Sequence, residues 1–255
     1  MNREAAEPAF RAIAHVLAPV LRALTRRDWD DAATLPATGG VIVCPNHISN
    51  ADPPLVGHYL VWSGRWPRFL AKASLFDAPV VGWLARATGQ IPVHRRTRAA
   101  GASLDAAADA LARGACVVIY PEGTVTHEPD AWPMTGHGGA ARLALRTGVP
   151  VLPLAQWGAH TVFDRWRVGV PRVWPRPTIT MRLGEPVALD DLRPPAGEEP
   201  DAAAVREATD RIVSAITALV EGIRGEVAPT VRYDLRRDWQ AGLAPDGRPL
   251  DDPDR

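Results

Sequence analysis

Between residues 41 and 183 short apolar, β-branched runs alternate with stretches of helical periodicity, and this alternation narrows the possible folds more than any other feature. The runs are Val41-Ile42-Val43, residues 68–71, 89–93, 115–120, 149–155 and the alternating 178–183. Between and beyond them, residues 54–62, 79–87, 99–113, 138–147 and 201–224 repeat apolar positions at helical steps. Gly114 and Gly148 stand where the third and fourth of these helices should stop. The last carries Val205, Ile212, Ile216, Leu219 and Ile223 on one stripe. Strands that alternate with helices pair in parallel through helical crossovers. The pattern therefore predicts an α/β fold with a central, mostly parallel sheet flanked by helices. Chemistry in such sheets collects in loops beyond the strand ends. Three loops qualify, at residues 47–52, 94–95 and 122–124.

The chain divides into an N-terminal amphipathic helical segment (residues 1–36), a central domain (37–225) and a C-terminal tail (226–255). In the first part, residues 8–27 place Phe10, Ile13, Leu17, Val20 or Leu21, and Leu24 at helical steps among Arg3, Arg11, Arg22, Arg26 and Arg27. Pro19 is expected to kink this helix. Such a helix suits both packing on the domain and lying in a membrane interface. Residues 28–31 read as an acidic turn, and the last dozen residues, rich in Pro, Asp and Arg, as poorly ordered.

The 255 residues are enough for one sizeable core, and 46% of them are apolar. With 29 basic against 29 acidic residues, net charge points to no nucleic-acid partner. Residues 61–100 are locally basic, holding Arg65, Arg68, Lys72, Arg86, Arg95, Arg96 and Arg98 against Asp77. That excess suits an anionic substrate or surface, or simply a solvated face. Cys44 and Cys116 both lie in strand-like runs and read as buried thiols of a reducing compartment, without a disulfide framework. No run approaches the ~20 apolar residues of a membrane span, and the opening residues lack the pattern of a signal peptide. A cytoplasmic protein is expected.

Within the first loop, Pro45-Asn46-His47-Ile48-Ser49-Asn50-Ala51-Asp52 follows a buried strand and precedes Pro53, which is suited to a first helical turn. A helix opening there lets Asp52 curl back onto the His47 ring. A carboxylate on one ring nitrogen fixes the tautomer and leaves the other nitrogen to take a proton from a hydroxyl. This is a base with its orienting carboxylate but no protein nucleophile, which suits attack by a substrate hydroxyl. The spacing by itself equally describes a turn with a satisfied side chain. In the other two loops, Arg95 is a planar, permanent cation able to clamp a phosphate. The Gly123-Thr124 backbone can present amides to an anion. Glu122 would repel a phosphate and is read as orienting an arginine or bonding a substrate hydroxyl, or else as a turn residue capping a neighbouring amide.

Together these residues resemble the lysophosphatidic acid acyltransferases, the glycerolipid acyltransferases of the PlsC type. Four ordered blocks carry the resemblance: residues 46–52; 89–95 (Gly-Gln-Ile-Pro-Val-His-Arg); 120–124 (Tyr-Pro-Glu-Gly-Thr); and 149–155 (Val-Pro-Val-Leu-Pro-Leu-Ala). It extends over residues 41–158. The resemblance implies His47 as general base with Asp52 as its partner. It implies Asn46, Arg95, Glu122, Gly123 and Thr124 around the substrate, with Arg95, Glu122 and Gly123 at an acceptor phosphate. It further implies transfer from an acyl thioester, on coenzyme A or acyl carrier protein as co-substrate, to a lysophospholipid hydroxyl without an acyl-enzyme. No other cofactor and no metal are implied. A protein peripheral to the inner face of the cell membrane is expected, the N-terminal helix lying on the bilayer. Two departures stand out: Thr135 and His137 replace basic residues that relatives commonly carry, and Asn50 replaces a bulky aromatic.

Three other readings use the same residues. The acceptor could be glycerol-3-phosphate or another lysophospholipid. A metal-dependent hydrolase would use His47, Asp52, His94, His127 and His137 as ligands, although no compact zinc pattern is present. A non-catalytic lipid-binding protein on the same fold would not need the intact His47/Asp52 pair.

Overall fold

In the computed structural model, residues 8–93, 100–165, 169–195, 197–235 and 237–238 are described. Arg95 and the last dozen residues, both subjects of expectations above, lie outside them. Seven strands form one sheet in the order β1-β7-β6-β2-β5-β3-β4. They are β1 (Arg26–Trp29), β2 (Val41–Pro45), β3 (Pro67–Lys72), β4 (Ile91–Val93), β5 (Cys116–Val118), β6 (Val151–Trp157) and β7 (Thr178–Leu183). Neighbours β2 to β6 all pair in parallel, as do β1 and β7 with each other, and β6–β7 is the antiparallel junction. The sheet is therefore mostly parallel, as the alternation of runs and helices predicts.

The helices are α1 (Pro8–Leu24), α2 (Asp52–Trp62), α3 (Pro79–Ala87), α4 (Ala100–Ala112), α5 (Gly139–Thr147), α6 (Ala159–Val162) and α7 (Ala202–Arg224). Strand β2 shows why its residues are apolar on every position. Ile42 and Cys44 face a core shared with α4, α5 and α7, while Val41 and Val43 face a second core built with α2. A strand covered on both faces needs a continuous apolar run rather than an alternating one. Helix α7 turns its predicted stripe to the first core and is capped by Asp201, whose carboxylate accepts the Ala204 amide at 2.7 Å. Gly148 ends α5 in the left-handed conformation, φ 69°.

One expectation needed correction. The acidic turn at residues 28–31 is partly a strand: β1 pairs with β7 from Arg26↔Thr178 to Trp29↔Met181. Its sequence, Arg-Arg-Asp-Trp, is polar because β1 is a half-exposed sheet edge, and Arg182 clamps Asp28 with two bonds of 2.9 and 3.0 Å. Helix α1 continues to Leu24 with Pro19 inside it. Phe10 is the buried anchor of α1, edge-on to Trp66 at 5.0 Å, whereas Val16, Leu17 and Val20 stay exposed.

One buried charge organises the loops opposite the site. Arg65 is fully buried and donates to the carbonyls of Pro36, Gly39 and Gly114 at 2.5, 2.7 and 2.7 Å. It closes the entry to β2 and the exit of α4 onto one guanidinium.

Candidate active site

Strand β2 delivers His47 just past its last residue. The preceding residue, Asn46, is buried, and its amide makes a reciprocal pair with β6: Nδ2 donates to the Gln156 carbonyl (3.1 Å) and Oδ1 accepts the Gln156 amide (2.8 Å). That lock fixes where the strand ends, so Asn46 holds the framework on which the loop is built. The chain then turns, and Asp52 opens α2 with Pro53 in its first turn. Asp52 is wholly buried. Its Oδ2 accepts from His47 Nδ1 at 2.7 Å and from the amides of Ile48 and Ser49 at 2.6 and 2.9 Å. Its Oδ1 is buried with no hydrogen-bond partner. Both backbone groups of His47 are also tied, the amide to Glu122 Oε1 (2.9 Å) and the carbonyl to the Thr126 amide (2.7 Å). Tyr120 stacks on the imidazole with ring centroids 4.2 Å apart. The ring is thus held at Nδ1 and on one face, and Nε2 is left for the substrate side.

Of the roles open to it, Glu122 takes that of capping backbone amides. It is buried, and its Oε2 accepts the Met134 amide at 3.0 Å while Oε1 takes the His47 amide. The amides stand where the other readings put an arginine or a substrate hydroxyl. Glu122 is a positioning residue that ties the β5 loop to the base. Burial pushes its carboxyl up to about 8, opposed by the two amides, with the Asp52 charge adding to the rise. Gly123 follows with φ 72°, and a β-carbon there would meet His137 Cδ2 at 2.8 Å, so both conformation and space require glycine. Its amide, expected to face an anion, donates to the Tyr120 carbonyl at 3.1 Å and closes a turn. Thr124 does reach the cavity described next.

His47 stands on the wall of a cavity of about 1490 Å³ between α1, α2, α3 and the β3–β4 end of the sheet. Around the base the walls are Asn50, Tyr120, Gly123, Thr124 and His137; farther off they are apolar, with Ile13, Leu17, Val61, Leu75, Val81 and Leu84. Lys72 also lines it, the sole Lys or Arg among the described residues that does so. The sequence marks Lys72 only as one of the seven basic residues of the stretch 61–100, just past the strand-like run 68–71. Its place at the carboxyl end of β3 was the signal that could have marked it. Among the described residues, no three His, Cys, Asp or Glu side chains converge as a metal site would need.

The arrangement is an oriented imidazole at the polar end of a long apolar cavity. Comparison with known proteins places the chain in a family. Residues 27–157 match the model of the Acyltransferase family. The 1-acyl-sn-glycerol-3-phosphate acyltransferase BAT2, chloroplastic, of Brassica napus is 29% identical over 125 residues, 49% of this chain and 36% of that protein. The lyso-ornithine lipid O-acyltransferase of Pseudomonas aeruginosa is 34% identical over 110 residues, 43% of this chain and 40% of that protein. The chain therefore spans well under half the length of these two curated relatives. The crystal structure of the 1-acyl-sn-glycerophosphate acyltransferase PlsC from Thermotoga maritima superposes with a TM-score of 0.62 at 23% identity, covering 86% of this chain and 81% of that one. It shares the fold.

Proposed function

This chain belongs to the Acyltransferase family, and we propose that it moves a fatty acyl group from an acyl thioester to the free hydroxyl of a lysophospholipid. The first acceptor to consider is 1-acyl-glycerol-3-phosphate, which would give phosphatidic acid. The observation that carries the reading is His47 Nδ1 bound to buried Asp52 at 2.7 Å on the wall of a largely apolar cavity of about 1490 Å³. The acceptor hydroxyl would donate to His47 Nε2 and lose its proton there as its oxygen bonds to the thioester carbon. The tetrahedral intermediate would collapse by breaking the carbon–sulfur bond. The thiolate of coenzyme A or acyl carrier protein then takes the proton back from His47. General base catalysis of this kind contributes roughly 10²–10⁴-fold.

No protein nucleophile is needed. Cys44 and Cys116 are both buried in strands, and burial pushes the Cys44 thiol well above its ordinary range. Lys72 supplies a cation for an acceptor phosphate within the cavity, and Arg95 is the further candidate from the sequence. Leu17 on α1 and Val81 on α3 line the cavity, and exposed Val16 and Val20 on α1 and Val80 and Trp83 on α3 lie beside them, with Arg22 on α1 and Arg27 just beyond it. That apolar and basic surface suits peripheral contact with a bilayer. No helix among the described residues is long and apolar enough to cross a membrane.

The test is thiol release from acyl-coenzyme A and acyl carrier protein donors against a panel of acceptors. The panel holds lysophosphatidic acid, glycerol-3-phosphate and lyso-ornithine lipid, the last because a relative carries that name. Acceptor-dependent release that disappears in His47→Ala supports the proposal, and the panel ranks the acceptors. Release that needs no acceptor points to a thioesterase, and no release with any pair leaves a lipid-binding protein.

A further inference from the structure

Beyond Gly225, which leaves α7 at φ 66°, the chain turns back along that helix. The Ala228 amide donates to Glu221 Oε1 at 2.8 Å. Farther on, the Arg232 guanidinium donates to Ser214 Oγ and, at 3.3 Å, to Asp210 Oδ1. From Glu221 to Asp210 is about 16 Å of helix at 1.5 Å per residue. Thr135 then holds the end of this strap: its amide donates to the Tyr233 carbonyl at 2.9 Å and its hydroxyl to Asp234 Oδ2 at 3.1 Å. These anchors are polar. Val227 and Val231 stay exposed, and a second cavity of about 1060 Å³ is bounded by the strap, α7 and the 128–135 loop. Hydrogen bonds rather than apolar burial therefore set where the strap lies.

The next residue is Leu235, and among the described residues of the tail it alone lines the cavity that holds His47. Thr135 stands just before His137 and the start of α5, so Leu235 joins the cavity beside His137, Gly139 and Ala140. These walls adjoin the base, since His137 touches the space at Gly123 and Glu122 binds the His47 amide. An acceptor whose hydroxyl reaches His47 keeps its headgroup within a few bonds of the reacting oxygen, at this polar end. We propose that the C-terminal strap is part of the substrate site and that Leu235 is a specificity residue limiting the bulk of the acceptor headgroup. The inference rests on the acyl-transfer reading of the cavity.

The test compares lysophosphatidic acid with lysophosphatidylglycerol of the same chain, whose headgroup is larger. Leu235→Ala should raise kcat/KM for the larger acceptor relative to the smaller by about 10- to 100-fold, the scale on which a pocket responds to a methylene more or less. Leu235→Trp should lower the same ratio. Thr135 and Arg232 do not line the cavity, so Thr135→Val and Arg232→Ala loosen the strap without removing a substrate contact. Each should move the ratio in the direction of Leu235→Ala, by less, and add nothing to it in a double variant. A strap that serves stability alone would lower the melting temperature of these variants and leave the ratio unmoved. A ratio within about twofold of wild type in Leu235→Ala, or effects that multiply in the double variants, would overturn the proposal. Calorimetric binding of both lysophospholipids to wild type and Leu235→Ala runs beside the assay. Headgroup selection that depends on Leu235 in binding, with no turnover, would mean that the transferase reading fails while the strap keeps its role. Turnover whose ratio ignores Leu235 would leave the transferase and overturn the strap, and neither binding nor turnover would overturn both.

Discussion

Replacing Asp52 with asparagine separates charge from geometry at the base. Oδ2 of Asp52 faces three donors, the His47 ring and the amides of Ile48 and Ser49, whereas Oδ1 faces none. An asparagine therefore settles with its carbonyl oxygen in the Oδ2 position, since an NH₂ there would confront all three donors. The loop and the His47 tautomer survive, and the negative charge is what disappears. When His47 accepts the substrate proton, the ring charge and the carboxylate charge are centred about 4 Å apart, an attraction of about 4 kcal/mol at an effective dielectric of about 20. Its loss corresponds to about 10³-fold in kcat. The asparagine NH₂ occupies the partnerless side of the pocket, which costs about 1–3 kcal/mol of stability. The assay is steady-state thiol release with a matched thermal melt. The expected result is kcat lower by about 10³, KM within a few-fold, and a folded protein that melts earlier. A loss of less than tenfold would refute the assignment of Asp52 as the partner of a catalytic base. A loss as deep as that of His47→Ala would show that the tautomer had gone with the charge, against the geometry argued here.

Glu122→Gln should lower kcat by about 5- to 100-fold, because one of two buried amides, from His47 or Met134, then faces an NH₂. The same variant alters the pH dependence of folding. With a native pKa of about 8 against an ordinary 4.5, the folded chain holds a proton that the unfolded chain has released, so the wild-type stability falls as pH rises across that window. Melts from pH 5 to 8 should show this slope in the wild type and a flatter one in the glutamine variant; equal slopes would contradict it. Tyr120→Phe deletes a buried hydroxyl that has no partner and should leave the melting temperature unchanged or higher, while Tyr120→Ala removes the ring beneath His47 and should cost about 3–5 kcal/mol. Denaturant titration of the pair checks both. Arg65→Met should destabilise by about 3–5 kcal/mol, since three carbonyls lose their donor, with turnover per folded molecule preserved; loss of turnover without loss of stability would place Arg65 in the site.

The parts of this fold that could be read from the sequence are those governed by near neighbours. A buried run such as Val41-Ile42-Val43, a glycine after a helix and a proline opening one act within a few residues, and so does the five-residue reach from His47 to Asp52. What escaped depends on partners far along the chain. Asn46 meets Gln156 across 110 residues, Glu122 meets the His47 amide across 75, and the polar strand β1 makes sense only beside β7. Glu122 shows the difficulty plainly. A carboxylate next to a glycine in a loop reads equally as a substrate contact and as a cap until the two amides that fill it are seen. Lys72 escaped for a different reason: its place at a strand end was legible, but which strand ends border the cavity depends on the whole sheet.

The pairing of β1 with β7 bears on the order in which the molecule can be assembled. Asp28 finds its register partner only at Thr180, 152 residues later. At about 5–20 residues per second, a ribosome takes roughly 8–30 s to bridge that gap. During this interval β2, β5 and β6 can already join, His47 can meet Asp52, and α1 can dock on α2 and seat Phe10 against Trp66, while β1 waits for its partner strand. The base and most of the cavity wall can therefore form before the far edge of the sheet does, and that edge is the last part of the sheet to close.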